Sequence, residues 1–329
     1  GGGFRTPPGS PHREATAGEM YRFIRGEVFS PSKWPPPEGH VLSKAEFHRQ
    51  MAAARNPSVT WLGHSGFIIR LGGHVIITDP FLGERAGAMG FGPKRYSAAP
   101  ISGGELPKAD VLLVSHNHYD HLDAPTIEAY PHKQDTQVIV PLGLGAFFTK
   151  RGYTKVLEQD WWDMWHSEIG LTITTLPSVH GSGRGLWDQG KTLWASFGIT
   201  TDEGKIWFSG DTANGDVFNE IGQRAGPFDL ALMAIGAYEP RSIMKAVHVT
   251  PEEAVEVLRK IGAQSAIGMH WGTIALTPEN PFDAPKRFKQ AAQAQRFGKE
   301  NAVVLRVGES HNLDGKTLPN YPQEKAGSR

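Results

Sequence analysis

Short runs of apolar or alternating residues, rich in β-branched side chains, recur along the chain from residue 59 onward. Runs of this length and composition are typical of β-strands. We predict strands at 59–62, 67–71, 74–78, 111–114, 137–140, 171–176, 206–208, 230–233 and 265–268. Because helix signals lie between some of these runs, the pattern predicts an α/β fold in which hairpins build much of the sheet.

Three helix starts can be placed in this pattern. Thr250-Pro-Glu-Glu supplies an N-cap, a proline in the first turn and a capping-box glutamate, which predicts a helix to about residue 261. Asp123 and Asp283, each followed by Ala-Pro, predict two more helix starts. Gly298 is predicted to end the last of these helices.

Residues 1–55 differ from the rest of the chain because they are rich in Pro and Gly. One stretch among them is amphipathic, with Met20, Phe23, Ile24 and Val28 near helical spacing. We predict an N-terminal extension packed on or beside a main domain of residues 56–329. The alternative is that this stretch contacts a membrane surface or a partner.

Charge and cysteine content narrow the function classes. Lys plus Arg and Asp plus Glu both number 34, a balance that argues against a partner with a phosphate backbone, so no nucleic acid is expected. The absence of cysteine removes disulfides, thiolate metal sites and cysteine nucleophiles, and leaves the compartment open. The chain begins Gly-Gly-Gly without Met, so a removed leader and a periplasmic as well as a cytoplasmic location stay open.

The candidate chemistry begins in the run Ser-His-Asn-His-Tyr-Asp-His at residues 115–121, directly after a predicted strand. In an extended segment, alternate side chains point the same way, so His116 and His118 can reach one metal together. Asp120 and His121 lie where the chain turns toward the next helix and can address a second metal. Imidazole and carboxylate ligands suit Zn²⁺ better than Mg²⁺ or Ca²⁺.

One loop cannot complete two metal sites. Three more candidates each follow a predicted strand: His180, Asp211 and His270. Strand ends gathered along one edge of a sheet are where α/β folds build their sites. We therefore predict that these three side chains join the histidine run.

Together these motifs resemble metallo-β-lactamase-fold hydrolases. Within that fold, a dense series of motifs between about residues 59 and 310 resembles N-acylphosphatidylethanolamine-hydrolysing phospholipase D and its bacterial relatives. The motifs are Thr60-Trp-Leu-Gly-His, Thr78-Asp-Pro, Gly92-Pro-Lys-Arg, Ser115-His-Asn-His-Tyr-Asp-His-Leu-Asp, Pro141-Leu-Gly, Asp160-Trp-Trp, Leu193-Trp, Gly226-Pro-Phe-Asp-Leu, Ile235-Gly-Ala-Tyr-Glu-Pro-Arg, Pro251-Glu-Glu-Ala and His270-Trp-Gly-Thr.

The resemblance implies a four-layer αββα sandwich with two zinc ions at one edge. It assigns His116, His118 and His180 to the first zinc, Asp120, His121 and His270 to the second, and Asp211 to a bridge between them. His64 and Asp79 would orient ligands. Asp120 and Asp211 would also serve catalysis, and Tyr119 and His248 would contact the substrate or the leaving group.

The implied activity is a phosphodiesterase of phospholipase D type, acting on N-acylethanolamine phospholipids or related diesters through a metal-bridging hydroxide. A lactonase or another carboxylic ester or amide hydrolase of the same fold is the alternative, and a metal- or lipid-binding protein without turnover is a third. The resemblance is compatible with a homodimer and with a peripheral membrane contact, for which the apolar stripe around Phe23 is the one local feature.

The sequence departs from the family pattern at three places beside the candidate ligands. The family commonly has Trp where this chain has Gly181, Gly-Tyr where it has Ala213-Asn214, and Gln where it has Val247. Two of these changes replace an aromatic ring with something smaller, which predicts a wider or less apolar mouth. In the glycine-rich loop at 181–185, Arg184 is expected either to meet a phosphate or to lie solvated on the surface.

Overall fold

A computed structural model of the chain describes residues 2–27, 34–185 and 187–313. Two seven-stranded sheets dominate these residues. The first sheet, in spatial order, contains β14 (Ser310–Asn312), β1 (Ser58–Gly63), β2 (Gly66–Leu71), β3 (His74–Thr78), β4 (Val111–Leu113), β5 (Gln137–Pro141) and β6 (Val156–Gln159). The second contains β13 (Ala302–Val303), β12 (Ala263–Met269), β11 (Phe228–Ala234), β10 (Gly204–Phe208), β9 (Ser196–Thr201), β8 (Thr172–Leu176) and β7 (Met164–His166).

Each sheet is antiparallel in one half and parallel in the other. In the first sheet the strands from β14 to β3 pair antiparallel, and those from β3 to β6 pair parallel. In the second, the strands from β7 to β10 pair antiparallel, and those from β10 to β13 pair parallel. All nine predicted runs overlap strands of these sheets, and the prediction of many hairpins is confirmed.

Helices cover the outer faces of the two sheets. The α-helices are α1 (Ala17–Glu27), α2 (Lys44–Ala53), α3 (Ala124–Ala129), α4 (Gly145–Thr149), α5 (Val217–Arg224), α6 (Arg241–Met244), α7 (Pro251–Lys260) and α8 (Ala284–Ala294). Helix α4 lies on β5 and β6, whereas α7 and α8 lie on strands β11 to β13. The layers are therefore helix, sheet, sheet, helix, as predicted.

The central strands of the first sheet are buried on both faces. Along β2, Phe67 and Ile69 belong to the core shared with the second sheet, and Ile68 between them belongs to the core under the helices. This period-two alternation between two apolar layers explains why the strand is apolar at nearly every position. The core fixes the two sheets face to face and so positions the loops along their shared edge.

The helix predictions are partly confirmed. The Thr250 capping box forms, with the Glu253 N–H donating to the Thr250 hydroxyl at 3.2 Å, and α7 follows it. Asp123 precedes α3, but its carboxylate accepts the N–H of Gly83 at 2.8 Å and ties this turn to another loop. Helix α8 ends at Ala294, so the predicted end at Gly298 is wrong.

The N-terminal segment contacts the rest of the chain at several points. Phe47 of α2 is buried with the core of the first sheet. Met20 and Phe23 of α1 pack against a small cluster of Ala237, Ile243 and Met244, here called the 237–244 cluster. Of the amphipathic stretch, Val28 and the side chain of Ile24 lie outside the described residues. No helix in the described ranges has both the length and the apolar character needed to cross a bilayer.

Candidate active site

The strand ends bring the candidate residues to one edge of the sandwich. The histidine run follows β4, and His180, Asp211 and His270 lie just beyond the ends of β8, β10 and β12. Gly210, in the left-handed region with φ of 53°, allows the turn that carries Asp211 to approach the end of β4. A Cβ at Gly210 would lie 2.7 Å from that of Ser115, which is closer than two carbons pack.

A first group of side chains surrounds one side of Asp211. The Nε2 atom of His116 and the Nδ1 atom of His118 are 2.8 Å apart, and His180 Nε2 lies 3.2 Å from the same His118 atom. Asp211 Oδ2 lies 3.8 Å from His116 Nε2 and 3.7 Å from His180 Nε2. All four residues offer ligand atoms within 4.8 Å of one another, a separation that one metal ion can span.

A second group lies on the other side of Asp211. His121 Nε2 and His270 Nε2 lie 3.0 Å and 3.2 Å from Asp211 Oδ2, and each lies 3.6 Å from Asp120 Oδ2. His64 joins this group, but its Nε2 atom is already 2.8 Å from Asp120 Oδ2. Asp211 Oδ2 therefore lies between the two groups.

Residues behind the two groups fix the orientation of the rings. Asp79 Oδ2 lies 2.6 Å from His121 Nδ1, and the carboxylate also accepts the N–H of Ser115 at 2.7 Å. Because a carboxylate only accepts, a proton is held on His121 Nδ1, which leaves Nε2 as the atom that can bind a metal. Burial lowers the pKa of His121, but Asp211 and Asp120 raise it well above its usual value, so without a metal Nε2 also carries a proton that a metal must displace. The carbonyl of Val247, 2.8 Å from His180 Nδ1, orients that ring in the same way.

Three residues of the edge have a backbone conformation that side chains rarely adopt. His64, Asp79 and His270 have φ values of 53°, 32° and 63°. Non-glycine residues in this region cost free energy and persist where the surrounding structure holds them, most often at functional sites. The strain therefore marks the same edge that the side-chain distances mark.

The buried polar atoms of the groups lack partners of their own. His121 Nε2, His270 Nε2 and Asp211 Oδ1 are buried and make no well-directed hydrogen bond, although both rings lie close to Asp211 Oδ2. Leaving such atoms unpaired is costly, and bound cations are a common remedy. Imidazole nitrogens and carboxylate oxygens grouped in this way fit zinc or a similar transition metal.

Burial and mutual repulsion control the protonation of the first group. Burial, with the nearby His180, lowers the pKa of His118 to about 3, and burial also holds the pKa of His116 well below its usual value. Burial alone would raise the pKa of Asp211, but His121 and His270 hold it well below its usual value. At neutral pH the first group therefore offers neutral rings and an ionised carboxylate, the forms that bind metals.

Comparison with known proteins identifies the family. Residues 74–271 match the family model described as Beta-lactamase superfamily domain. N-acyl-phosphatidylethanolamine-hydrolyzing phospholipase D 1 of Caenorhabditis elegans is 37% identical over 279 residues, covering 80% of this chain and 77% of the worm protein. The chain belongs to this phospholipase D-like family. It is thus a metallo-hydrolase with the metallo-β-lactamase fold, and the predicted family and fold are confirmed.

Other relatives agree with this placement. The mitochondrial N-acyl-phosphatidylethanolamine-hydrolyzing phospholipase D of Saccharomyces cerevisiae is 35% identical over 262 residues, which cover 78% of this chain and 56% of the yeast protein. Among solved structures, isothiocyanate hydrolase from Delia radicum gut bacteria has a TM-score of 0.61 at 18% identity. That alignment covers 77% of this chain and 98% of the hydrolase, and it supports the fold alone.

Two further family positions, His248 and Tyr119, lie differently with respect to the groups. His248 Nε2 is 3.8 Å from Asp211 Oδ2, and its Nδ1 atom is buried without a partner. Tyr119 is half-buried, and its hydroxyl donates to the carbonyl of Arg184 at 3.4 Å. His248 therefore faces the candidate metal ligands, whereas the Tyr119 hydroxyl is directed to a neighbouring loop.

Arg184 is not a solvated surface residue, and its contact with a phosphate stays a prediction. Its Nε donates to the carbonyl of Asn117 at 2.6 Å, and Nη2 donates to the carbonyl of Leu122. Its guanidinium also lies 4.3 Å from the centre of the Tyr119 ring. Both carbonyls flank the segment that carries three of the candidate ligands. The guanidinium is thus engaged by protein atoms of that segment, a role that its place in a glycine-rich loop did not signal.

The three departures from the family keep the groups intact. At Gly181, an added Cβ would meet nothing within 4 Å. The Asn214 amide donates to Glu256 at 2.8 Å and so is held at the surface of α7. Val247 contributes its carbonyl, which any residue would supply. The wider or less apolar mouth stays a prediction.

Proposed function

We propose that this chain is a dinuclear zinc hydrolase that cleaves a phosphodiester of an N-acylethanolamine phospholipid or a related diester. The observation that carries the proposal is the convergence of two ligand groups on one carboxylate oxygen. Asp211 Oδ2 lies 3.0 Å to 3.8 Å from ring nitrogens of both groups. The names of the worm and yeast relatives supply the substrate class.

The division of the ligands follows the two groups. In this proposal His116, His118 and His180 would hold the first zinc. Asp120, His121 and His270 would hold the second, and Asp211 would be shared between them. The pairing is supported by the orphaned Nε2 atoms of His121 and His270, since a metal ion would satisfy both.

The remaining polar residues orient the ligands for metal binding. Asp79 keeps the proton of His121 on Nδ1, and His64, 2.8 Å from Asp120 Oδ2, fixes that carboxylate. When bound, a pair of zinc ions would supply a water of lowered pKa and stabilise the charge that develops in an in-line displacement. His248 is the neighbouring side chain that could contact the leaving group, because its Nε2 faces Asp211 at 3.8 Å. Burial holds the pKa of His248 well below its usual value, so it would make this contact as a neutral ring.

A turnover panel on the zinc-loaded protein tests the proposal. The substrates are bis(p-nitrophenyl) phosphate, vesicles containing N-acylphosphatidylethanolamine, and a lactone. We expect about two zinc ions per chain, one for each ligand group, and hydrolysis of the two phosphodiesters. Hydrolysis of the lactone alone would favour the carboxylic ester alternative, and no turnover with zinc fully bound would favour a binding protein.

The variant His118→Ala tests the ligand assignment directly. It should lower zinc content and turnover together, because it removes one ligand from the first group. His166→Ala is the matched control, since His166 is exposed and its ring contacts the Thr172 hydroxyl outside both groups. Unchanged activity in His118→Ala would contradict the dinuclear assignment.

The proposal also includes a peripheral membrane contact and a homodimer, both compatible with a phospholipid substrate. Co-sedimentation with the same vesicles and analytical ultracentrifugation of the full chain test these two points separately. A monomer that stays in the supernatant at saturating vesicle concentration would remove both from the proposal.

A further inference from the structure

Residues 2–27, called the N-terminal segment from here on, contact three other segments of the chain. Each of these three segments lies near a candidate ligand or His248. The N–H of Phe4 donates to the carbonyl of Gly190 at 2.8 Å, in the loop that follows His180. A Cβ on Gly9 would lie 2.7 Å from a carboxylate oxygen of Asp216, just after Asp211 in the chain. This glycine thus allows a close approach between two distant segments.

The third segment, 241–248, consists of helix α6 and the turn after it. The N–H of Glu14 donates to the carbonyl of Ser242 at 3.0 Å, and the Glu14 carboxylate pairs with Lys245 at 3.0 Å. Met20 and Phe23 then pack against the 237–244 cluster. Val247 packs against the same cluster. The N-terminal segment and Val247 are therefore joined through one set of buried side chains.

Val247 connects this packing to the ligand His180. Its carbonyl lies 2.8 Å from His180 Nδ1 and, because it can only accept, it holds the ring proton there. The opposite nitrogen, Nε2, is thereby left free and faces His118 Nδ1 at 3.2 Å. Partners of this kind raise the basicity of a ligating imidazole and fix its direction.

The next residue extends the same connection. The N–H groups of Val247 and His248 both donate to the carbonyl of Met244, at 2.9 Å and 2.7 Å. Met244 is a buried member of the 237–244 cluster. A shift of the cluster would therefore move the carbonyl that orients His180 and the ring that faces Asp211 together.

We propose that the N-terminal segment is a positioning element of the active site, acting through the 237–244 cluster and Val247 on His180. The proposal rests on the metal-binding part of the proposed function. It gives residues 2–27 a role in the hydrolase unit, although the matching family model begins only at residue 74. It concerns the ligand geometry and is independent of which ester the site cleaves.

The test compares Phe23→Ala with Tyr21→Ala in the full-length chain. Tyr21 lies on the same helix, but its side chain is 62% exposed, so its removal leaves the packed face intact. Zinc affinity is measured by competition with a chelator, and the absorption bands of the Co²⁺-loaded protein report the ligand geometry. Phe23→Ala should weaken zinc binding by about 3- to 10-fold, less than the effect of removing a direct partner of a ligand.

The outcomes separate the two proposals. In Phe23→Ala the Co²⁺ bands should shift, and Phe23→Leu should restore both the bands and the affinity, whereas Tyr21→Ala should match the parent chain. If Phe23→Ala does not fold, Met20→Ala replaces it, because it removes a second side chain from the same contact. Parent-like affinity and bands in the folded Phe23 or Met20 variant would overturn this inference alone. A parent chain that binds neither metal would overturn both proposals.

Discussion

Asp79→Asn is the change that most directly examines how the ligands are held. The Asp79 carboxylate is fully buried and accepts three hydrogen bonds. Its Oδ1 accepts the Ser115 N–H at 2.7 Å, and its Oδ2 accepts the Ser115 hydroxyl at 2.5 Å and faces His121 Nδ1 at 2.6 Å. Asparagine has nearly the same shape, so the change alters the hydrogen bonds and leaves the packing.

Neither orientation of the new amide can reproduce these bonds. If its NH₂ group replaces Oδ1, it faces the N–H of Ser115, and that buried donor loses its acceptor at a cost of about 1–3 kcal/mol. If it replaces Oδ2, it faces His121 Nδ1, which must then accept. The His121 proton would move to Nε2, the atom that faces Asp211, and that atom could no longer bind a metal.

The second orientation therefore removes Nε2 as a ligand. The first lowers stability and leaves His121 Nδ1 facing a neutral carbonyl, a weaker acceptor than a carboxylate, so it weakens metal binding less. Removing such a partner typically lowers metal affinity by about 10- to 100-fold, which corresponds to about 1.4–2.8 kcal/mol. The assay is competition between the protein and a chromogenic chelator for zinc, with zinc content measured after dialysis. The expected result is weaker binding of about one of the two ions, with the first group retained.

The matched control is Asp229→Asn. Asp229 is also buried, and its carboxylate accepts the Lys205 N–H at 2.7 Å, but it lies in β11 away from both groups. It should alter stability without altering zinc affinity. The reasoning would be refuted if Asp79→Asn bound zinc as tightly as the parent chain, or if both asparagine variants weakened binding equally.

Two further results are expected. Gly236→Ala should reduce zinc content, because the added Cβ would lie only 1.9 Å from the carbonyl oxygen of His270 and must displace it. Gly181→Ala is the control, because its Cβ would enter open space and the variant should retain zinc. Equal zinc content in the two variants would contradict this reasoning. Zinc uptake at pH 7–8 should release protons from His270. Burial lowers the pKa of His270, but the stronger effect of Asp211 and Asp120 raises it to about 9 in the metal-free protein. Below that pKa the ring holds a proton that the metal must displace, so calorimetric affinity should rise from pH 7 to pH 9, and a pH-independent affinity would refute the argument.

The candidate ligands were predictable because each obeys a local rule. His116 and His118 alternate on extended backbone, and their facing nitrogens are 2.8 Å apart, as that spacing requires. His180, Asp211 and His270 each follow an apolar run that could be read as a strand. The convergence of strand ends at a sheet edge then brings residues together that are far apart in sequence.

Other elements carry no such local signal. Strand β9 was missed because Gly198 and polar residues interrupt its apolar pattern, although it pairs with β8 and β10 in the middle of the second sheet. Strand β7 was missed because Met164 and His166 are exposed and only Trp165 is partly buried. Such strands are determined by their neighbours, and a single sequence shows mainly the strands whose own side chains fill the core.

The backbone contributions were equally invisible in the sequence. The carbonyl of Val247 orients His180, and the carbonyls of Asn117 and Leu122 receive the guanidinium of Arg184. A carbonyl is common to all residues, so side-chain patterns do not mark it. The backbone strain at His64, Asp79 and His270 likewise appears only once the fold is known.

This distinction explains how the site can depart from its family and keep its ligands. At Val247 the side chain differs from the common glutamine, but the carbonyl that faces His180 remains. At Gly181 the lost ring leaves space that no other atom fills within 4 Å of the Cβ position. At residue 247 the atom that orients His180 belongs to the backbone, but the Val247 side chain packs on the 237–244 cluster and so is also linked to that ligand. At Gly181 only side-chain volume differs, so we expect a larger residue there to alter substrate range more than zinc binding.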